Sequence, residues 1–374
     1  MERIAVCEPL LAGNELKYVE DALRTGWISS SGKYVEAFQE QFADYCGVKY
    51  GVAVCNGTAA LHVALLALGI GKGDEVIIPD FTMIASAFAV CYTGAIPVFV
   101  DVNRDTWTID IEKIEDKITS RTKAIMPVSI FGHPCEMDEL REITNRHGLR
   151  LIEDAAESHG ADYKGKRLGS IADVTAFSFY ANKNITTGEG GMVVTNDRVL
   201  RDRCLYYKNL CFPIDGSRTY YHEELGFNYR MSNLHAAIGL AQVEKADQYK
   251  EMRIRNGHLY EKYFGGIPGL TLQKTKNYVT NVHWMNGVVL NPEEYGKTRA
   301  QLMGFLGSNG VDTRVFFVGM HKQPSLLKCG GSATGEFPIT DWLAENGFYL
   351  PSSSNLSEQK IRYICDLIRH YRGA

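Results

Sequence analysis

Short apolar runs alternate with helix-patterned segments over residues 50–153, and this order constrains the fold more than any other feature. Residues 50–55, 75–78, 96–100, 123–128 and 149–153 read as strands, with helices at 58–68, 84–92, 110–118 and 136–147 between them. A strict β-α-β-α succession with right-handed crossovers implies an α/β fold with a parallel, doubly wound sheet and helices on both faces. Such sheets bind ligands beyond the carboxyl ends of their strands. That rule selects Asn56-Gly57-Thr58, Asp80-Phe81-Thr82 and Asp154. Residues 81–100 carry no charge, but Thr93-Gly94 and Pro97 divide them into a helix and a strand, so they read as buried core rather than a membrane span.

Another helix is expected at 34–45, where Val35, Phe38, Phe42 and Tyr45 share a face. Residues 234–255 read as one long helix, a spine between lobes. Beyond it, strands at 284–290 and 313–317 mix with helices at 298–307 and 358–371. The expected division is a large domain at 1–245 and a smaller C-terminal α/β domain at 246–374, a natural size for 374 residues. The net charge of −4 lacks the basic excess of a nucleic-acid binder. Nine cysteines stand singly with no C-x-x-C pair, which points to a reducing, cytoplasmic setting without a disulfide framework or a metal site. The opening Met1-Glu2-Arg3-Ile4-Ala5-Val6 lacks the apolar core of a signal peptide, and no membrane partner is expected.

Four segments carry candidate chemistry. Asn56-Gly57-Thr58 ends a strand and opens a helix, whose unpaired N–H groups suit a phosphate; taken alone, simple capping is the favoured account. Asp154 ends an apolar strand, with Glu157 and His159 shortly after it; a carboxylate there could keep a heterocyclic nitrogen protonated, or could cap a helix. Lys183 follows the aromatic run Phe177-Ser178-Phe179-Tyr180 and precedes Gly188, Gly190 and Gly191. Burial in such surroundings lowers an ammonium pKa, as a Schiff-base lysine requires, and Ser178 could offer a hydroxyl to phosphate. Asn228 and Arg230, just before the spine helix, could meet a phosphate or carboxylate, or stand on a solvated loop.

Taken in order with Gly26-Trp27-Ile28-Ser29-Ser30 and Gly73-Asp74-Glu75-Val76-Ile77, these motifs resemble the DegT/DnrJ/EryC1/StrS family of pyridoxal-phosphate sugar aminotransferases from about residue 8 to the end. The resemblance implies an aspartate-aminotransferase-like fold of type I and a homodimer with shared active sites. It implies that Lys183 carries pyridoxal 5'-phosphate, with pyridoxamine 5'-phosphate as its alternate form. Asp154 would pair with the pyridine nitrogen, Glu157 would lie near the ring's 3-oxygen, and Gly57, Thr58 and Ser178 would hold the phosphate together with Asn228 from the partner subunit. Met83 stands where relatives carry an aromatic residue against the ring, and Phe88 replaces a smaller polar residue. Trp27, Ser29, His159, Arg230, Arg314 and His321 are the implied substrate-side residues.

The run 182–197 is similar to the branch that moves an amino group from L-glutamate to C4 of GDP-4-keto-6-deoxy-D-mannose, a reaction of lipopolysaccharide O-antigen synthesis. The alternatives are a UDP- or dTDP-4-keto-6-deoxyglucose aminotransferase, a 3-keto-sugar aminotransferase and a non-catalytic regulator on the same scaffold. Sugar dehydratases of this fold replace the lysine with histidine; Lys183 stands at that position here.

Overall fold

The first 200 residues build a seven-stranded sheet: β1 (Tyr50–Val54), β2 (Glu75–Pro79), β3 (Ile96–Val100), β4 (Thr122–Ile125), β5 (Arg150–Asp154), β6 (Val174–Ser178) and β7 (Gly191–Thr195). These come from a computed structural model that describes residues 3–217, 219–331 and 335–373; Met1 and Glu2 of the opening segment lie outside it. The order across the sheet is β1-β7-β6-β5-β4-β2-β3. Neighbours from β3 to β6 are parallel, whereas β7 runs against both β6 and β1, so the sheet is mostly parallel. Register sets Gly191, the first residue of β7, opposite both Val54 and Ser178. The carboxyl ends of β1 and β6 therefore meet at one glycine, with Asp154 at the end of the next strand.

Side-chain alternation decides which helix covers which face. Val52, Val76, Ile78, Ala124, Ile152, Ala176 and Val193 face α2 (Gly57–Ala67) and α3 (Ala85–Tyr92). On the other face, Ala53, Phe177, Met192 and Val194 pack with α1 (Lys33–Cys46), while Ile77, Ile125 and Leu151 pack with α4 (Met137–His147). The uncharged stretch 81–100 resolves into α3 and β3, both in the core, and among the described residues no helix is long and apolar enough to cross a membrane.

Two helices differ from expectation. Residues 110–118 form two 3₁₀ turns, Ile111–Lys113 and Glu115–Lys117. Only Ile114 is fully buried there, so no continuous apolar stripe supports an α-helix, and the Asp110 carboxylate tightens the first turn by accepting from Glu112 N. The expected spine is two helices, α5 (Asn233–Val243) and α6 (Ala246–Phe264), separated at Glu244 and Lys245. The Glu244 carboxylate accepts from Asn14 Nδ2 and the Tyr18 hydroxyl, both at 2.7 Å, and Lys245 leaves the helical backbone (φ −114°, ψ 7°).

The second sheet is antiparallel, in the order β8 (Leu270–Leu272), β9 (Asn286–Leu290), β11 (Gly347–Leu350), β10 (Arg314–Val315). It packs with α6 and the last helix, Glu358–Gly373, around Val288, Leu290, Phe348, Ile361 and Ile364. Ile4 bridges to Val311, so the amino-terminal segment rests on this second sheet. An aromatic cluster of Phe81, Trp107, Phe131, Trp284 and Phe316 joins residues from the first sheet's loops to residues of the second.

Candidate active site

A cavity of about 350 Å³ opens at the carboxyl ends of β1, β5 and β6. Its walls include Gly57, Thr58, Met83, Asp154, Glu157, Ser178 and Lys183. Strand alternation places Asp154 in the cavity while Glu153 points to the opposite face, where it accepts from Gly169 N and the Thr175 hydroxyl.

The acidic side of the cavity is buried. Asp154 Oδ2 accepts from the Ser86 hydroxyl at 2.7 Å and Oδ1 from Ala156 N at 3.1 Å; burial still raises its pKa. The Thr82 hydroxyl lies 3.1 Å from that of Ser86. Glu157 Oε2 accepts from Phe131 N at 2.8 Å, and burial pushes this carboxyl up to about 7 against the pull of Lys183. Lys183 is itself half-buried, and its Nζ lies 3.7 Å from the centre of the Trp284 ring. Burial lowers its pKa, opposed by the charges of Glu157 and Asp154. A lysine with a lowered pKa can act as nucleophile and as base.

At the other end of the cavity, Asn56 caps α2 by accepting from Ala59 N at 2.8 Å. That leaves the N–H groups of the first turn, at Gly57 and Thr58, directed at the cavity with the helix dipole behind them. A Cβ on Gly57 would lie 2.6 Å from Ser178 Cβ, and a Cβ on Gly191 would lie 2.3 Å from the Asn56 carbonyl oxygen. Two glycines thus let the helix start and two strand ends close into a cradle. A basic nucleophile, a buried carboxylate and an anion cradle in one cavity form a donor set that fits pyridoxal phosphate.

The other expected residues lie outside this cavity. Asn228 is exposed, and its Oδ1 accepts from Arg230 Nε and Nη2. Arg230 lines a separate cavity of about 440 Å³ with Ser30 and Lys208. Trp27 is exposed beside a third, of about 560 Å³, and Ser29 is exposed next to it. Arg314 projects from the edge strand β10. His321 Nδ1 donates to Asp80 Oδ2 (2.6 Å), which ties it to the loop after β2, and its ring stacks on Phe337.

His159 is placed differently from expectation. It is buried against the faces of Phe177 and Phe179, on the far side of the strand from the cavity, because Phe177 points to that side of β6. Burial pushes its pKa down to about 3. Conversely, Trp284, Phe317 and Tyr349 line the cavity from the C-terminal part of the chain, and Ser86 supports Asp154. Ser86 is the lone serine of an apolar helix and Trp284 one of four tryptophans, which are the only local signals they carry.

This fold and cavity are those of a sugar aminotransferase scaffold. The family model described as the DegT/DnrJ/EryC1/StrS aminotransferase family matches residues 9–369, and the chain belongs to that family. It is 44% identical to a GDP-perosamine synthase of Caulobacter vibrioides, covering 96% of each chain, and 42% identical to one of Escherichia coli O157:H7, covering 99% of each. Its fold is similar to the PLP form of a putative sugar aminotransferase from Streptococcus pneumoniae, with a TM-score of 0.91 at 26% identity over 99% of each chain.

Proposed function

We propose that this chain transfers an amino group from L-glutamate to C4 of a nucleotide-linked 4-keto-6-deoxy sugar, GDP-4-keto-6-deoxy-D-mannose, giving GDP-perosamine. The observation that carries the reading is the convergence of Lys183, Asp154 and the Gly57–Ser178 cradle on one cavity. The similarity to two GDP-perosamine synthases across nearly the whole chain supports the choice of nucleotide and sugar.

Pyridoxal phosphate, when bound, supplies an electron sink for the carbanion formed at the amino-bearing carbon. Lys183 would hold the cofactor through Nζ. The first-turn N–H groups of α2 and the hydroxyls of Thr58 and Ser178 would bind its phosphate. Asp154, fixed by Ser86 and Ala156 N, would hold the proton on the ring nitrogen, and Glu157 would serve the ring oxygen. Lys183 Nζ, within the same cavity, would serve as the base for the α-carbon proton of L-glutamate and as the acid that supplies a proton to C4 of the sugar. Met83 lines the cavity and would take the place of the aromatic side chain that relatives set against the ring; a thioether can lie against such a face. Trp284, Phe317 and Tyr349 shield the reacting carbon from water.

Asn228, Arg230, Trp27 and Ser29 act in trans in this reading, across a homodimer. What supports this is their exposure outside the cavity, beside exposed apolar residues Ile28, Leu210, Ile214 and Leu225. The setting is cytoplasmic and the product serves O-antigen assembly.

A half-reaction tests the assignment. The yellow protein is bleached with L-glutamate, freed of excess donor and mixed with GDP-4-keto-6-deoxymannose. Return of the colour with an aminated product by mass is the expected result. Return only with UDP- or dTDP-4-keto-6-deoxyglucose would move the substrate, and failure of glutamate to bleach the colour would refute the donor.

A further inference from the structure

We propose that Arg253 and Cys7 are positioning residues for Lys183, acting through Trp284 and the Asn182 carbonyl to hold an aromatic face against the lysine amine. The inference rests on Lys183 being the cofactor lysine. It concerns three side chains, Cys7, Arg253 and Trp284, from segments far apart in sequence, none of which the motif-bearing segments contain.

The peptide that precedes Lys183 is held by two donors. Trp284 Nε1 donates to Asn182 O at 2.9 Å, and the Cys7 thiol donates to the same oxygen at 3.3 Å. Cys7 Sγ in turn accepts from Arg253 Nη2 at 3.2 Å. Arg253 is 1% exposed, and its partners are neutral: Ser354 Oγ at 2.9 Å, the Trp284 carbonyl at 3.0 Å and the Ser352 carbonyl. Among the described residues it has no carboxylate partner. A buried guanidinium without a counter-charge is costly, so its site calls for an explanation beyond stability. Here it grips both routes to the lysine: Trp284 by its backbone oxygen and Cys7 by its sulfur. Trp284 is therefore fixed at both ends, its carbonyl by Arg253 and its ring N–H by Asn182 O, which leaves the indole face 3.7 Å from Lys183 Nζ.

A second observation points the same way. His283, just before Trp284, has φ 45°, a left-handed conformation that a side chain other than glycine adopts at a cost. Its amide donates to Asn281 Oδ1 at 2.9 Å, and its ring packs on Gly257, where an added Cβ would lie 2.4 Å away. Gly257 lies four residues after Arg253, on the same face of α6. One helix face thus both accommodates the strained corner and holds the carbonyl that follows it. Backbone strain maintained beside a reactive lysine is the arrangement expected when the corner's direction matters to the site.

An aromatic face stabilises the ammonium form of a lysine. The test is the pH midpoint of Lys183 acetylation by acetic anhydride, followed by peptide mass in the full-length protein stripped of cofactor. Trp284→Leu is expected to lower the midpoint by about 0.4–1.5 pH units, the range that a cation–π contact supplies. Arg253→Gln and Cys7→Ala should move it the same way by less, and Cys7→Ser, which keeps a donor and an acceptor, should restore the wild-type midpoint. An unchanged or raised midpoint in folded Trp284→Leu, or a Cys7→Ser shift as large as that of Cys7→Ala, would overturn the proposal. If Arg253→Gln does not fold, the Cys7 pair decides. Borohydride fixation of pyridoxal phosphate to Lys183 tests the cofactor lysine separately, so a flat acetylation result refutes the positioning while leaving the aminotransferase reading intact.

Discussion

Gly57→Ala is the substitution whose effect can be worked most fully from this geometry. The new Cβ would lie 2.6 Å from Ser178 Cβ and 3.1 Å from Ser178 Oγ. Carbon contacts settle at about 3.5–4.0 Å, so the start of α2 and the end of β6 must separate by about 1 Å. Neither side can swing away, because both atoms are attached directly to backbone. Overpacking of this kind costs about 1–3 kcal/mol, and the helix preference of Ala over Gly returns about 1 kcal/mol. The net loss is about 0–2 kcal/mol of fold stability. The effect on the anion cradle is separate. Displacing the first-turn N–H groups forfeits part of a helix–anion interaction worth about 0.3–2 kcal/mol, so the affinity for pyridoxal phosphate should fall roughly 2- to 30-fold. The assay is a pair of measurements, cofactor titration by absorbance and a thermal melt of the apoprotein, on Gly57→Ala, Ser178→Gly and the double variant. In the Ser178→Gly background the added methyl has room, so both penalties of Gly57→Ala should shrink. Equal penalties in the two backgrounds would show that the contact with Ser178 is not what the glycine avoids.

Other outcomes follow from the same site. Lys183→Ala should abolish turnover with the fold retained by circular dichroism, and Asp154→Asn should lower kcat by about 10²–10⁴-fold with the assembly unchanged by light scattering. Mixing Lys183→Ala subunits with Asn228→Ala subunits should restore about one quarter of wild-type activity, because half of randomly formed dimers then contain one intact site; no recovery on mixing would refute action in trans. Glu153 is fully buried, and its pKa is raised from 4.5 to about 7. Between those pH values the folded state binds a proton that the unfolded state has released, so stability falls as pH rises, by up to about 3 kcal/mol. Glu153→Gln should flatten that part of a denaturant-midpoint profile against pH.

The cofactor side of the cavity was legible in the sequence because its parts are local. Gly57, Thr58 and Asp154 lie at strand ends that apolar periodicity reveals, whereas Ser178 and Lys183 stand out by the aromatic run and the glycines around them and by the family resemblance. Local reading failed where a neighbour decides the outcome. The 3₁₀ turns at 111–117 lack a buried stripe to support them, and α5 breaks from α6 at Lys245, next to Glu244, which Asn14 and Tyr18 engage. His159, two residues beyond Glu157, is carried to the opposite face, where aromatic rings of β6 and α1 surround it.

By itself, the sequence determined the α/β class, the five parallel-sheet strands between residues 50 and 154, and the residues that those strands present at their carboxyl ends. All of these depend on interactions within a few residues. The reversal of β7, which sets Gly191 between Val54 and Ser178, was decided by the tertiary structure. So was the aromatic wall of Trp284, Phe317 and Tyr349, together with the Arg253–Cys7 tether behind it. Those contacts join segments about 100 to 250 residues apart, and their geometry follows from which surfaces the two sheets and their loops bury against each other, a choice that the whole packed chain makes and no short window of sequence contains.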